Sequence, residues 1–112
     1  MSRPTEERRR HPRYARALPL RRRGAEDFSV LETENVSLGG ALCRVDRYLP
    51  IMTKLHLHAE LPDGQGPFEA EAVVVRVEPE EPRGWHGEYR VALFFQRMED
   101  KDRRALRTYL EG

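Results

Sequence analysis

Between Lys54 and Leu61 every second residue is apolar. Leu55, Leu57, Ala59 and Leu61 alternate with Lys54, His56, His58 and Glu60, and period two with charge on one side means a strand with one wet face. The same logic finds strands on both sides of it. Tyr14, Leu18 and Leu20 share one parity, interrupted by Arg16, and Arg21-Arg22-Arg23-Gly24 ends that run in a turn. Pro19 there calls for an edge position or a bulge. Phe28, Val30, Glu32 and Glu34 alternate against Ser29, Leu31, Thr33 and Asn35, Gly39-Gly40 breaks the run, and Ala41 to Val45 is a short third strand. After the turn Pro62-Asp63-Gly64, Phe68 to Val77 carries valines on both parities, so its later half is expected to be buried on both faces. Pro79 to Gly87 is a charged loop, and Tyr89 to Phe95 is a final β-branched and aromatic strand.

The end of the chain changes period. Ala105, Leu106, Tyr109 and Leu110 fall at helical spacing between Asp100 and Leu110. Asp100 is the expected N-cap, and Glu99 and Asp102 suit the positive end of the helix dipole. Five or six antiparallel strands and one helix cannot hide their edges as a flat sheet. Closing into a small barrel removes the edges, and the helix covers or plugs one side. At 112 residues, with 38% apolar and 35% charged, the chain is one mainly β domain with a small core.

Net charge is +1, but it is unevenly spread. Residues 1–25 hold nine arginines against Glu6 and Glu7, a balance of +7, and the remaining 87 residues sum to −6. Residues 1–12, with Pro4, Pro12 and almost nothing apolar, are expected to be loosely attached without a ligand. Arginine predominates over lysine, with only Lys54 and Lys101 present. Genome composition alone can produce that bias, so it carries no argument about recognition.

Two motifs carry chemistry. Arg9-Arg10-His11-Pro12-Arg13 offers two guanidinium groups, Arg9 and Arg13, with three residues between them. Asn35-Val36-Ser37-Leu38-Gly39-Gly40 offers an amide, a hydroxyl and close backbone approach. A guanidinium binds phosphate bidentately and stacks on a flat base, so the set suits an anionic, planar ligand. In an extended segment Arg9 and Arg13 project to one side, about 13 Å apart at roughly 3.3 Å per residue.

The order, spacing and flanks of these motifs resemble the PilZ domain, the bacterial receptor module for cyclic di-GMP, whose motifs are RxxxR and [D/N]xSxxG. Both are present without a substitution, and the resemblance runs from about Arg8 to Leu110. It implies a six-stranded antiparallel β-barrel over residues 14–112 with a C-terminal α-helix, and a flexible basic arm over residues 1–13 that carries RxxxR. It implies cyclic di-GMP as the ligand, with Arg9 and Arg13 on phosphate and guanine, Asn35 and Ser37 contacting guanine from the barrel, and Gly40 at the family's glycine position. Arg8, Arg10 and Gly39 are further candidate contacts. An arginine at position 8 would, by the same resemblance, accompany an intercalated ligand dimer. Gly40 keeps the turn tight or is needed for a left-handed backbone angle. Ala92 and Thr53 depart from the family pattern, where glycines often stand, and bear on barrel geometry more than on binding.

Other features have plainer readings. Cys43, the single cysteine, excludes an internal disulfide, fits a reducing cytoplasm and reads as a structural thiol. His56 and His58 face the same way but lack an obvious third ligand, so a solvated surface is expected rather than a metal site. His11 stacks on a base or is only a spacer. Trp85 is expected to pack on the barrel rim. No stretch approaches the roughly 18 apolar residues that span a bilayer, and no apolar run follows the N-terminal arginines, so a secretory signal is not expected. No acid–base pair, metal set, cofactor motif or activated nucleophile is recognisable, so no enzyme is expected.

The reading is a cytoplasmic, single-domain cyclic di-GMP receptor. It orders its arm on binding and signals through an unidentified downstream protein, without membrane insertion. The alternatives are a PilZ-like protein-interaction adaptor that ignores the nucleotide and, more weakly, a nucleic-acid-binding small barrel. The acidic body and the lack of evident exposed aromatics speak against the latter.

Overall fold

The computed structural model describes residues 12–22, 30–62, 64–81 and 88–112. Six antiparallel strands are followed by one helix: β1 (Pro19–Arg22), β2 (Val30–Val36), β3 (Gly40–Val45), β4 (Lys54–Leu61), β5 (Gly66–Glu78), β6 (Tyr89–Arg97) and α1 (Asp100–Glu111). The strands close into a barrel in the order β1-β2-β3-β6-β5-β4. Pairing of Arg21 with His58 and of Arg22 with Leu57 makes the closing seam between β1 and β4. Arg21 and Arg22 are therefore part of β1, whereas the sequence pattern put them in the turn that ends it. Closure gives Arg21, which also pairs with Val30 of β2, a second strand neighbour. Pro19 pairs only with Glu32 of β2, so the missing N–H at the strand's first position leaves no partner wanting.

Alternation places the core. In β4 the buried positions are Leu55, Leu57, Ala59 and Leu61. Phe68 of β5 meets Phe95 of β6 edge-to-face at 5.8 Å, and Tyr89 meets Tyr48 at 5.6 Å. α1 packs on β5 and, to a lesser extent, on β4. It buries Leu106 and Leu110, with Ala105 and Tyr109 half-buried at their flanks. That is the stripe the helical spacing requires.

Two details of the helix differ from expectation. The N-cap is Glu99, extended at φ −73° and ψ 159°, and its side chain makes no capping bond. Asp100 is already inside the helix. The carboxylate with a structural task is Asp102, which is buried and accepts the Glu69 backbone N–H at 3.0 Å. It ties the first turn of α1 to β5.

Bulges break the alternation where sequence parity fails. In β5 the register shifts between Val74 and Arg76. Val73, Val74 and Val77 are buried, but Val75 is 49% exposed. The later half of the strand is thus not buried on both faces, because the extra residue of a bulge is pushed out of the ladder.

Arg16, which interrupted the first parity run, has a place of its own. Its guanidinium lies 5.9 Å from the Tyr14 ring centre and 5.7 Å from that of Tyr109, and it donates to the Leu110 carbonyl at 3.2 Å. The last turn of α1 has no basic residue of its own, so Arg16 supplies the cation that the C-terminal carbonyls favour. Thr33, buried in β2, holds the same segment. Its hydroxyl accepts the Leu18 N–H at 2.8 Å and donates to the Arg16 carbonyl. Thr33→Val keeps the shape and strands both backbone groups. It is expected to cost about 2 kcal/mol, read as a lower urea midpoint with an unchanged slope.

Cys43 is fully buried in β3. Burial pushes its thiol up to about 12, with Glu34 adding to the shift. The neutral form is therefore the one the fold favours. Its contribution to stability is whole below the ordinary thiol value of 9.0 and declines as pH rises from there toward about 12. Native protein at pH 8 should leave the thiol unreacted with a disulfide reagent and release one equivalent on unfolding. Cys43→Ala should flatten the fall in stability above pH 9.

Candidate functional site

The site begins with a bulge. Thr33 pairs with Cys43 but Asn35 pairs with Leu42, so β2 has one residue more than β3 at Glu34. Strict alternation would send Asn35 inward with Thr33. The extra residue reverses the phase, burying Val36 and leaving Asn35 at the surface. A second local device brings the N-terminal segment beside it. Tyr14 and Val36 exchange both backbone hydrogen bonds, each at 2.9 Å. Tyr14 packs against the core, so its neighbour Arg13 faces out. Arg13 Nη1 then donates to Asn35 Oδ1 at 2.9 Å. The described ends of the two motifs are thereby in direct contact. Arg8, Arg9, Arg10 and His11 lie outside the described residues, as do Arg23, Phe28 and Trp85.

Ser37 works on the turn. It is buried, and its Oγ accepts the N–H groups of Gly39 at 3.1 Å and Gly40 at 3.2 Å. Its own N–H donates to the Gly40 carbonyl at 2.8 Å. This is a serine turn closed by side chain and backbone together. The Gly39 carbonyl accepts the Phe95 N–H at 2.9 Å, which fixes the turn to β6. Gly40 is not in the left-handed region. Its requirement is space, because a Cβ there would lie 2.1 Å from the Leu93 carbonyl oxygen. Of the two readings left open for this glycine, close approach is the one the backbone supports.

Arg13, Ser37, Leu38 and Gly39 line a cleft of about 560 Å³ whose other walls include Phe94 and Arg103. That volume lies within the range of small-molecule sites. Phe94 is 51% exposed and, with Val75, gives the cleft an apolar wall. Among the described residues no carboxylate lines it. Three other hollows on the described surface differ in this respect. The one beside His56 carries Glu69, Glu71, Glu99 and Asp102. The one beside Lys101 carries Glu69, Glu99 and Asp102. The one beside Arg44 carries Glu32, Asp46 and Glu88. In a chain this rich in carboxylates, a cleft whose described lining has two arginines and none of them favours an anion.

Elsewhere on the barrel, the guanidinium groups of Arg44 and Arg90 have local partners. Arg90 holds Glu34 through two bonds, at 2.7 and 3.2 Å, and Arg44 Nε donates to Glu88 at 2.9 Å. His56 lies 3.1 Å from Glu69, and His58 lies between Glu69 and Glu60 at 3.6 and 3.3 Å. Both histidines thus face carboxylates on the outer surface. Among the described residues no group of three or more such side chains is arranged to hold a metal ion.

Sequence reasoning did not find Phe94, Val75 or Arg103. Parity alone could have placed Phe94 outward opposite buried Phe95. Val75 needed the bulge, and Arg103 needed the docking angle of α1.

Residues 7–112 match the model of the PilZ domain family, a span that includes both motifs. No curated protein matches the chain. Among solved structures it is similar to the inhibitor of motility MotI/DgrA of Bacillus subtilis, with a TM-score of 0.73 and 24% identity over 93% of this chain and 49% of that one. It is similar to the PilZ domain of YcgR from Escherichia coli, solved with c-di-GMP, with a TM-score of 0.68 and 15% identity over 93% of this chain and 89% of that one. The K. pneumonia MrkH–c-di-GMP complex matches with a TM-score of 0.69 and 19% identity over 92% of this chain and 51% of that one. The chain thus spans about half the length of MotI/DgrA and of MrkH. At these identities the three likenesses speak for the fold. The six-stranded barrel with its C-terminal helix, the two intact motifs and the match over residues 7–112 together make this chain a member of the PilZ domain family, the non-catalytic receptor family for cyclic di-GMP.

Proposed function

We propose that this protein is a cyclic di-GMP receptor whose ligand binds in the cleft between the Arg13 segment, the Ser37–Gly40 turn and α1. The observation that carries the reading is the 2.9 Å bond to Asn35 from Arg13, which lines a cleft with no carboxylate among the described residues. It joins the two recognition motifs where an anion is favoured. Arg9 and Arg13 grip phosphate and the guanine edge or face, which suit a planar bidentate donor. Asn35 contacts guanine. Ser37 contributes chiefly by holding Gly39 and Gly40 in the turn, and Gly40 lets the turn approach β6. Arg8, Arg10 and Gly39 add contacts, and Arg8 bears on whether one ligand or an intercalated pair binds.

Residues 1–13 act as an arm and residues 14–112 as the barrel. Ligand clamps the arm over the barrel and changes the surface offered to a downstream protein, a disorder-to-order switch. No catalytic step is involved. Among the described residues no helix is long and apolar enough to cross a membrane, and the protein is placed in the cytoplasm on this reading.

Calorimetric titration with cyclic di-GMP, GTP and linear pGpG tests it. Saturable binding of the cyclic dinucleotide alone is expected, and the stoichiometry reports on Arg8. Equal binding of all three would reduce the cleft to a general anion site. Binding of none would favour a protein-interaction adaptor.

A further inference from the structure

We infer that Arg103, on α1 and outside both recognition motifs, is a ligand-contacting residue that binds a phosphate of the cyclic dinucleotide. The inference rests on the receptor reading above and extends its site to a third element of the fold.

Arg103 lines the same cleft as Arg13, Ser37 and Gly39. It is half-buried, so its stem is confined where it lines the cleft. Its natural helical partner is Glu99, four residues earlier. Glu99 instead lines the two hollows on the β5 side with Asp102, and only its backbone carbonyl meets Arg103, accepting the Arg103 N–H at 2.9 Å. Among the described residues the Arg103 guanidinium has no ion pair, unlike those of Arg44 and Arg90. Arg107, four residues on, adds like charge on the same helix. A confined cation with no counter-charge among the described residues, on a cleft where those residues include no carboxylate, is suited to take its counter-charge from the ligand.

The mounting is rigid. Asp102 is bonded to the Glu69 N–H, and Leu106 is fully buried against the barrel. A fork held in place by its neighbours loses less freedom on binding phosphate than one on a mobile loop. Arg13 and Arg103 come from opposite ends of the chain. A ligand held by both therefore links the N-terminal segment, the barrel and the C-terminal helix.

The test compares the full chain with Arg103→Ala, Arg103→Lys and Arg104→Ala, titrated with cyclic di-GMP. Arg104 is exposed on the same turn and is not among the cleft residues. The alanine variant is expected to bind about tenfold or more weakly, in line with loss of a charged hydrogen bond. The lysine variant, which keeps charge but not the fork, should fall between it and wild type. Arg104→Ala should bind as wild type. In the unsubstituted protein the Arg103 Nε–Hε NMR signal should shift and sharpen on ligand addition. Wild-type binding with unchanged affinity in Arg103→Ala overturns the assignment of Arg103 alone. A wild-type protein that does not bind cyclic di-GMP overturns the receptor reading and this inference with it. If the alanine variant fails to fold, the lysine variant decides: unchanged affinity there, with an unmoved Arg103 Nε signal, overturns the assignment.

Discussion

Replacing Arg9 and Arg13 together with alanine should reduce cyclic di-GMP affinity by at least about 100-fold. Each guanidinium–phosphate or guanidinium–guanine pair is a charge-assisted, forked contact worth about 1.5–3 kcal/mol. Two of them amount to two to four decades in affinity. The fold should hardly notice. Arg13 is exposed, and among the described residues its side chain bonds Asn35 at the surface, so barrel stability should change by no more than about 0.5 kcal/mol. Calorimetry and thermal melting of the same sample separate the two effects. Undiminished affinity with an intact barrel would remove the arm from the mechanism. A lost fold would mean that Arg13 holds the barrel rather than the ligand.

Gly40→Ala should do the reverse, striking the fold first. The added Cβ would sit 2.1 Å from the Leu93 carbonyl oxygen and 3.2 Å from its carbon. Both are backbone atoms of a strand that is paired with β3 through Gly40↔Phe94 and Ala41↔Leu93. No side chain can rotate away to relieve the contact. Either β3 separates from β6 at this point or the Ser37 turn opens, and each forfeits hydrogen bonds as well as packing. The expected loss is about 3 kcal/mol or more, at the upper end for overpacking. Gly64→Ala is the matched control. Gly64 has a positive φ of 71° but no atom within 4 Å of a new Cβ, so it should lose only the roughly 1–2 kcal/mol of left-handed strain. Urea denaturation of the two variants compares crowding with strain directly. Equal, small losses would contradict the close-approach account of Gly40.

The fold was legible where one physical rule acted alone. In β4, Lys54 to Leu61, uninterrupted alternation gave both boundaries, because one face is buried and the other wet along its whole length. α1 was legible for the same reason at helical spacing. Its N-cap was not, because propensity favours Asp100 as a cap while the chain turns at Glu99 and uses Asp102 to bond β5. Parity failed at the bulges. Asn35 and Val75 each lie one residue out of phase, and a bulge is set by pairing with a distant strand that no local pattern records. Arg16 interrupts an apolar run in the sequence. Only the arrival of Tyr109 and the Leu110 carbonyl from the far end of the chain gives it a purpose.

The site divides in the same way. Arg13, Asn35, Ser37 and Gly40 were legible as residue types with a shared chemistry. That Arg13 meets Asn35 depends on the Tyr14–Val36 bridge and on the β2 bulge, neither of which follows from spacing. The different tasks of Ser37 and Asn35 also depend on the folded arrangement, since burial assigns one hydroxyl to the turn and leaves one amide at the surface. Arg103 was one of many arginines, and only the seating of α1 brings it to the cleft.

The most direct test of the central claim is a ¹H–¹⁵N NMR titration of the full chain with cyclic di-GMP. The account predicts saturating shifts at Arg13, Asn35, Ser37, Gly39 and Gly40, together with Phe94 and Arg103 on the other walls, and new ordered signals from residues 8–11. The Lys54–Leu61 strand should stay unmoved. A spectrum unchanged at saturating ligand, or shifts gathered around His56 and Glu69 instead, would contradict it.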